Sequence, residues 1–284
     1  MESPIISVRD LTVSYGGHRV LNGVNLDIQH GEVMVLLGAS GSGKSTMLRH
    51  IIGLERPDSG TVHVQGIDIN HCSARELKAI RRGMGVAFQD GALFSSISVE
   101  ENVELPLREL TTLADPVIEI MTYIKLASVG LGEAGKLMPQ ELSGGMKKRA
   151  AVARATALDP EILVFDEPSA GLDPIVAGEL DELILFLKRA FQITIVVVTH
   201  EMTSAFRIAD RLAMLYKGSL IAVEDKASFQ ASTDPRIRQF LDRIPEHIAE
   251  SESVQRRLHE LAGVTGAGVT GSEGPVSLPY SCPE

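Results

Sequence analysis

The sequence predicts an α/β fold in which a helical segment interrupts an alternation of strands and helices. Apolar runs at 162–165 and 193–198 are rich in Val, Ile and Leu, which is typical of parallel strands buried on both faces. Between 89 and about 140 such runs stop, and helical patterns that begin with N-capping motifs replace them. The 284 residues suffice for one large domain or two small ones with a full core.

The N-terminal segments have the patterns of strands. Residues 5–15 and 20–28 alternate apolar and polar side chains, as half-buried strands do. Within the second segment, Asn22-Gly23 predicts a turn. Residues 32–37 form a short apolar run that leads into a glycine-rich loop. We therefore expect a buried strand directly before that loop.

Capping residues mark where the helices begin. Ser73 with Glu76, and Ser98 with Glu101, have the spacing of capping boxes. Asp-Pro pairs place a capping side chain directly before a proline, which is tolerated in the first helical turn. The predicted helices begin at or beside Ser45, Ser73, Ser98, Asp115, Asp173 and Asp234, and further strands are predicted at 61–64 and 84–88.

Composition argues against a nucleic-acid partner. The formal net charge is −10, only 4% of residues are aromatic, and there is no Trp. Nucleic-acid binders normally carry a basic footprint, and single-strand binders carry stacking aromatics. Cys72 and Cys282 lie far apart without metal-ligand spacing, and we interpret them as unpaired thiols. No signal peptide is recognisable, and no apolar run approaches the ~20 residues of a membrane span, so membrane contact is expected only through a partner.

The glycine-rich loop has the pattern GxxxxGK[ST] between a predicted strand and a predicted helix, which is the context that a phosphate-binding loop requires. Its backbone N–H groups can surround phosphate, Lys44 can reach the β- and γ-phosphates, and Ser45 can bind Mg²⁺. The residues that we expect to bind ATP here are Gly38, Ala39, Ser40, Gly41, Ser42, Gly43, Lys44, Ser45 and Thr46.

Two carboxylates follow the apolar run at 162–165. Asp166 is expected to hold Mg²⁺, and Glu167 is expected to polarise the water that attacks the γ-phosphate. Phosphoryl transfer depends mainly on positioning and charge stabilisation, so one placed carboxylate and a metal ion are sufficient chemistry.

A second anion-binding helix start follows the helical segment. Ser143, Gly144 and Gly145 precede a helix-forming run, with Ser143 as a natural N-cap. One nucleotide does not need two such sites in one subunit. A head-to-tail pair of subunits would place each Ser-Gly-Gly segment on the nucleotide of the other copy.

The order of these motifs over residues 5 to about 225 resembles the ATPases of ABC transporters. The resemblance implies a P-loop NTPase (RecA-like) core with an antiparallel β subdomain and a helical insert. It also implies that Tyr15 stacks on adenine, and that Gln89 senses Mg²⁺ and the γ-phosphate. His200 would be the histidine that contacts the γ-phosphate. Residues 169–173 resemble the loop that crosses the dimer interface.

Several further segments resemble one subgroup, the ATPase of Mla-type phospholipid transporters of Gram-negative bacteria. These segments are 88–94, 102–108, 136–139, 142–146 and 234–241. The resemblance implies a second copy of the chain, a polytopic permease, a periplasmic MCE-domain protein and a small STAS-domain protein as partners. It implies a peripheral location on the cytoplasmic face of the inner membrane.

We divide the chain into a core with the antiparallel subdomain and the phosphate-binding loop (1–88), a helical insert (89–142), the rest of the core (143–225) and a C-terminal extension (226–284). In the extension, 247–261 could form an amphipathic helix and 263–274 reads as a flexible tail.

Two features depart from, or add to, the family pattern. Met146 directly follows Ser143-Gly144-Gly145, the segment that resembles the signature motif of ABC ATPases. That motif commonly has Gln at this position, so Met146 removes a polar contact. The basic run Lys147-Lys148-Arg149 is interpreted as a solvated helix face.

Other classes of ATPase with these motifs fit less well. A chromosome ATPase of the SMC type would need a long coiled coil between the two anion-binding segments, and a ribosome-acting relative would carry two cassettes. An ABC ATPase for another cargo, such as a solute importer or a lipoprotein exporter, stays open.

Overall fold

The computed structural model describes residues 3–242. A six-stranded sheet runs through the centre, in the order β10-β9-β3-β8-β7-β6. Five of its strands are parallel, and β10 pairs antiparallel with β9 at one edge. The strands are β3 (Val33–Leu37), β6 (Met84–Ala87), β7 (Ile162–Asp166), β8 (Thr194–Val198), β9 (Arg211–Tyr216) and β10 (Ser219–Asp225).

A second sheet of four strands has the order β2-β1-β4-β5, and all of its pairings are antiparallel. Its strands are β1 (Ile6–Tyr15), β2 (His18–Ile28), β4 (Ser59–Val64) and β5 (Ile67–Asp68). The fold class expected from the sequence, an α/β core with an antiparallel β subdomain, is confirmed.

The described residues form nine α-helices and two 3₁₀ turns. The helices are α1 (Lys44–Ile51), α2 (Ala74–Arg82), α3 (Val99–Leu110), α4 (Asp115–Ser128), α5 (Gly144–Ala155), α6 (Pro174–Phe191), α7 (Met202–Ile208), α8 (Lys226–Ala231) and α9 (Pro235–Leu241). Both predicted capping boxes are present: Ser73 and Glu76 bond reciprocally at α2, and Ser98 and Glu101 do so at α3. No helix of residues 3–242 is both long and apolar enough to cross a membrane.

The central sheet separates two apolar cores. Along β3 the side chains alternate between them, as the period of a strand requires. Val33, Val35 and Leu37 join the core under α3–α6, whereas Met34 and Leu36 join the core shared with α1 and the antiparallel sheet. Because both faces are covered, β3 is fixed in place and so is the loop that follows it.

The prediction of a turn at Asn22-Gly23 is wrong. Both residues lie inside β2, where Gly23 has φ +62° and the register against β1 shifts between Leu11 and Val13. The reversal between β1 and β2 is made by Gly16 and Gly17 instead. A Gly in a left-handed conformation serves a bulge as well as a turn, and only pairing with β1 decides between them.

The expectations for 247–261, 263–274 and Cys282 lie outside the described residues. Within the C-terminal extension, the side chain of Asp234 caps the start of α9, as predicted.

Candidate functional site

The site forms at the carboxyl edge of the central parallel strands. Leu36 of β3 pairs with Val198 of β8, and Val198 pairs with Asp166 of β7. The segments that follow these strands therefore emerge side by side. In open α/β sheets this edge is where ligands bind. It brings together the loop 38–43, the two carboxylates and His200.

The loop 38–43 requires glycine at its two ends. A Cβ on Gly38 would lie 2.3 Å from the backbone O of Leu215, and one on Gly43 would lie 2.7 Å from Cδ2 of Leu21. Both have positive φ, +153° and +107°. The loop consequently passes close against its neighbours and then enters α1, whose first N–H groups need an external acceptor.

Lys44 lies over this loop. Its Nζ donates to the carbonyl oxygens of Gly38 at 2.8 Å and Ala39 at 3.1 Å. Burial lowers the pKa of Lys44, and attraction from Glu167 and Asp166 opposes that effect. A buried ammonium beside a loop of N–H donors fits a polyanion such as a nucleotide phosphate chain.

The two carboxylates differ in their partners. Asp166 Oδ1 is buried without a hydrogen-bond partner. Burial and the neighbouring Glu167 raise the pKa of Asp166, while Arg49 and Lys44 act in the opposite direction. A buried, unpaired carboxylate oxygen beside a second carboxylate fits a divalent cation. Within residues 3–242 no cluster of three His, Cys, Asp or Glu side chains could hold a metal ion alone, so phosphate oxygens and a hydroxyl would have to complete the coordination.

Glu167 is held by its backbone and by its side chain. Its φ is +49°, a left-handed conformation that costs a non-glycine residue on the order of 1–3 kcal/mol. Its N–H donates to the carbonyl of Val198 at 2.8 Å. Its Oε2 lies 2.9 Å from Nδ1 of His200. Such strain at a carboxylate at the end of a strand is typical of a functional site.

No hydrogen bond within residues 3–242 involves the side chains of Ser42, Ser45, Thr46 or Gln89. Ser45 is exposed at the start of α1, and Thr46 is half-buried. Ser42 Oγ is buried without a partner. Gln89 is exposed two residues beyond β6, the strand beside β7, and makes no hydrogen bond within the described residues.

Tyr15 ends β1 with 44% of its side chain exposed. Its hydroxyl bonds to the carboxylate of Glu55, which also lies 3.5 Å from Arg49 of α1. Burial and Glu55 raise the pKa of Tyr15. The hydroxyl of Tyr15 is thus linked through Glu55 to α1, while the ring stays accessible. The contact of this ring with adenine stays a prediction.

The segment that the sequence predicts as a second anion-binding helix start lies at the N-terminus of α5. Ser143 caps α5, because its Oγ accepts from the backbone N of Met146 at 3.3 Å, and Ser143 and Gly144 are exposed. Gly145 is buried, and a Cβ there would lie 2.5 Å from Cγ1 of Val176. Within residues 3–242 no hydrogen bond joins this segment to the loop 38–43.

The interpretation of Lys147-Lys148-Arg149 as a solvated face is wrong. All three residues are half-buried, and Nε of Arg149 is buried without a partner. Nζ of Lys148 donates to the backbone carbonyl of Glu167 at 3.1 Å. Sequence reasoning missed Lys148, since basic residues on a helix give no local sign that tertiary packing will cover them.

The comparisons with known proteins agree with this geometry. The family model described as "ABC transporter" matches residues 21–170, more than half of the chain. The chain belongs to the ABC transporter family. It is an ATP-binding cassette with ATPase activity.

This ABC ATPase is similar to proteins with two different names. It is 43% identical over 265 residues to "Probable ribonucleotide transport ATP-binding protein mkl" of Mycobacterium leprae, a match that covers 93% of this chain and 76% of that protein. It is 41% identical to "Intermembrane phospholipid transport system ATP-binding protein MlaF" of Escherichia coli K12, covering 85% of this chain and 90% of that protein. The expected likeness to the phospholipid subgroup is therefore confirmed.

A solved ABC cassette, MJ0796, gives a structural comparison. It is described as the dimeric structure of a post-hydrolysis state bound to ADP and Pi. The two folds agree with a TM-score of 0.72 at 33% identity, over 78% of this chain and 98% of MJ0796. ABC ATPases form dimers and pair with a membrane permease, and the chain is one of these subunits.

Proposed function

We propose that this ABC ATPase powers phospholipid transport between the inner and outer membranes through a separate permease. The observation that carries the proposal is the 41% identity with MlaF over nearly the whole length of that protein. The segments 88–94 and 234–241, which resemble the same subgroup, support it from outside the general ATPase motifs.

The site geometry supports specific roles in ATP binding. Lys44 and the N–H groups of 38–46 hold the phosphates, since the ammonium already lies over the loop. Ser45, Asp166 and Gln89 hold Mg²⁺, which supplies positive charge to the phosphate oxygens when it is bound. Tyr15 stacks on the adenine with its exposed ring.

Hydrolysis then depends on three side chains at the sheet edge. Glu167 orients and polarises the attacking water, and His200, bonded to it at 2.9 Å, fixes the carboxylate and contacts the γ-phosphate. Gln89 joins this group from the start of the helical insert 89–142. Positioned general bases of this kind contribute about 10²–10⁴-fold to rate.

Two copies of the chain act head to tail. Ser143 and Gly144 are exposed at the start of α5. In a twofold dimer they would close on the phosphates held by Lys44 of the partner. The dimer described for MJ0796 supports this arrangement.

The permease would dock in a groove beside β6, the outer parallel strand of the central sheet. The groove has a volume of about 570 Å³. Phe88 and Phe94 are exposed there, 39% and 53%. Its lining also includes Arg82, Glu109 and the apolar Leu105. An amphipathic cytoplasmic helix with a carboxylate at one end would fit this surface.

A second unpartnered apolar surface lies on the helical insert, and we call it the α4 stripe. Its side chains are between 41% and 62% exposed and recur at helical spacing, which marks a protein contact more often than a solvated face. The stripe consists of Leu113, which lies two residues before α4, and of Val117, Ile120, Tyr123 and Ile124 within α4. We assign it to the small STAS-domain protein. The MCE-domain protein would meet only the permease, from the periplasm.

Another cargo is the second candidate function. The relatives described by the name mkl carry the words "ribonucleotide transport", and the catalytic site would be the same for either cargo. In both cases the chain would lie peripherally at the cytoplasmic face of the inner membrane.

Affinity purification of the tagged full chain from its native membrane, with mass spectrometry of the co-purifying proteins, tests the proposal. We expect a permease together with MCE- and STAS-domain proteins. Phe94→Asp should lose the permease and keep the STAS protein, whereas Ile120→Asp should do the reverse. A permease that co-purifies with proteins for a soluble solute would contradict the phospholipid cargo and leave the ATPase roles intact.

A further inference from the structure

Lys148 reaches from the signature helix α5 to the backbone of Glu167. Its Nζ donates to the carbonyl oxygen of Glu167 at 3.1 Å, although 19 residues separate the two in sequence. Lys148 is half-buried and lines a small space together with Phe165 and Leu180. Its hydrogen bond directs the ammonium to the carbonyl of Glu167.

The peptide that Lys148 contacts is the strained one. Glu167 has φ +49°, and its N–H is held by Val198 at 2.8 Å. Lys148 holds the carbonyl at the other end of the same residue. A left-handed conformation at a non-glycine residue persists only where the surrounding structure over-determines it. Lys148 is one of the groups that hold Glu167, together with Val198 and with the N–H of Ala170, which donates to the same carbonyl at 3.2 Å.

The charges around Lys148 connect three segments. Burial lowers its pKa, and attraction from Asp90 and Glu167 opposes that shift. Asp90 directly follows Gln89, at the start of the helical insert. The ammonium thus lies near both the segment that carries Gln89 and the segment that carries Glu167.

Helix α5 connects Lys148 to the segment Ser143–Gly144. Lys148 comes four residues after Gly144. Residues at this spacing lie about one turn apart on the same helix face. A displacement of the Ser143–Gly144 end of α5 is therefore transmitted to the Lys148 ammonium through about 6 Å of rigid helix.

We propose that Lys148 is a positioning residue that links the signature segment of each subunit to the carboxylate of Glu167 in the same subunit. Docking of Ser143 and Gly144 on the partner's nucleotide would then be sensed, through α5, at the peptide that orients Glu167. The inference rests on the proposed role of Glu167 in hydrolysis. Lys148 itself touches neither the nucleotide nor the water.

Lys148→Met removes the ammonium and keeps most of the stem, and Lys148→Arg keeps a donor. We expect Lys148→Met to lower kcat by about 10- to 100-fold, as misplacement of a catalytic group does. KM for ATP should stay unchanged, and Lys148→Arg should recover most of the rate. Lys226→Met is the matched control, because Lys226 also donates to a backbone carbonyl, that of Arg207, at an exposed position.

Hydrogen–deuterium exchange of the nucleotide-free chain gives a second readout that does not depend on turnover. Lys148→Met should speed exchange in a peptide covering 166–172, where the N–H of Ala170 donates to the carbonyl of Glu167. Lys226→Met should leave this peptide unchanged.

If Lys148→Met changes neither kcat nor the exchange rate, the inference is overturned. It is also overturned if KM for ATP rises while kcat and the melting temperature both fall, because a general loss of structure would then explain the result. Glu167→Gln, measured beside Lys148→Met, separates the role of Glu167 in hydrolysis from the positioning role of Lys148. If Glu167→Gln retains its ATPase rate, the role of Glu167 fails. If Glu167→Gln is inactive while Lys148→Met is like wild type, only the role of Lys148 fails.

Discussion

Nδ1 of His200 lies 2.9 Å from Oε2 of Glu167, although the two residues are 33 apart in the sequence. The contact exists because β7 and β8 are adjacent and parallel, with Asp166 paired to Val198. Glu167 and His200 follow their strands by one and two residues. The sheet register therefore brings the two side chains together, and such preorganisation reduces the rearrangement that catalysis requires.

His200→Ala should remove the group that fixes the Glu167 carboxylate. We expect kcat to fall by about 10²–10³-fold, the usual cost of losing one stabilising donor, while the affinity for ATP changes little. Steady-state ATPase assays and fluorescent-nucleotide titration measure the two quantities. His30→Ala is the control, since His30 is exposed at the amino end of β3. Equal losses of kcat and affinity would argue that His200 acts in binding.

Asp166→Asn should stabilise the nucleotide-free chain and inactivate the enzyme. The substitution removes a half-buried carboxylate whose Oδ1 is buried without a partner and which lies next to Glu167. The melting temperature should rise without nucleotide, the further rise on adding Mg²⁺ and ATP should shrink, and kcat should fall about 10²-fold or more because metal-bound charge stabilisation is lost. A lower melting temperature of the nucleotide-free variant would contradict this account of Asp166.

Alanine substitutions at Gly145 and Gly144 should separate the effect of packing on stability from the effect of nucleotide contact on ATPase activity. A Cβ on Gly145 would lie 2.5 Å from Val176, whereas one on Gly144 would meet Leu172 only at 3.6 Å. Gly145→Ala should cost about 1–3 kcal/mol of unfolding free energy through overpacking. Gly144→Ala should fold normally and lose ATPase activity, because its side chain would obstruct the partner's nucleotide. Urea unfolding and ATPase assays on both variants decide this, and equal stabilities would contradict the packing argument.

Local chemistry was the most predictable part of the molecule. The capping boxes at Ser73 and Ser98 depend on residues three positions apart, so the sequence alone determined both helix starts. The loop at 38–43 and its strand–helix context were predictable for the same reason. The three site segments could be named one by one, but not their distances, which follow from the order of β3, β8 and β7 in the sheet.

Errors occurred where non-local packing decides the outcome. Asn22-Gly23 has the composition of a turn and became a bulge because β1 pairs on both sides of it. Lys148 has the composition of a surface residue and became half-buried because α5 packs over the segment that follows β7. Neither outcome has a signal within a few residues of the position itself.

Asp181 should make stability depend on pH. Its side chain lies in α6 with 4% of its surface exposed. Burial raises its pKa above the ordinary value of 3.8, and donation from Ser204 and attraction from Arg207 only partly offset this. The native state therefore binds this proton more tightly than the unfolded state, so the Asp181 contribution to stability falls as pH rises from 3.8 through the native pKa.

Asp181→Asn removes this charge and keeps an acceptor for Ser204. The variant should melt higher than wild type at neutral pH, and the difference should shrink as the solution is acidified to about pH 4 and below. Thermal unfolding across this range measures the effect. Asp58→Asn, at an exposed position, should show no such trend. A variant that melts lower at neutral pH would show that the contacts of Asp181 outweigh its burial.

The most direct test of the account is the behaviour of Glu167→Gln, because the proposed function gives hydrolysis to this carboxylate and closure to a second copy of the chain. Single-turnover hydrolysis and the molecular mass in solution should be measured together, with Mg²⁺ and ATP. The account predicts that the variant binds ATP, hydrolyses it at least about 10²-fold more slowly than wild type, and accumulates as a dimer that retains ATP. Hydrolysis at close to the wild-type rate, or a monomer saturated with ATP, would contradict it.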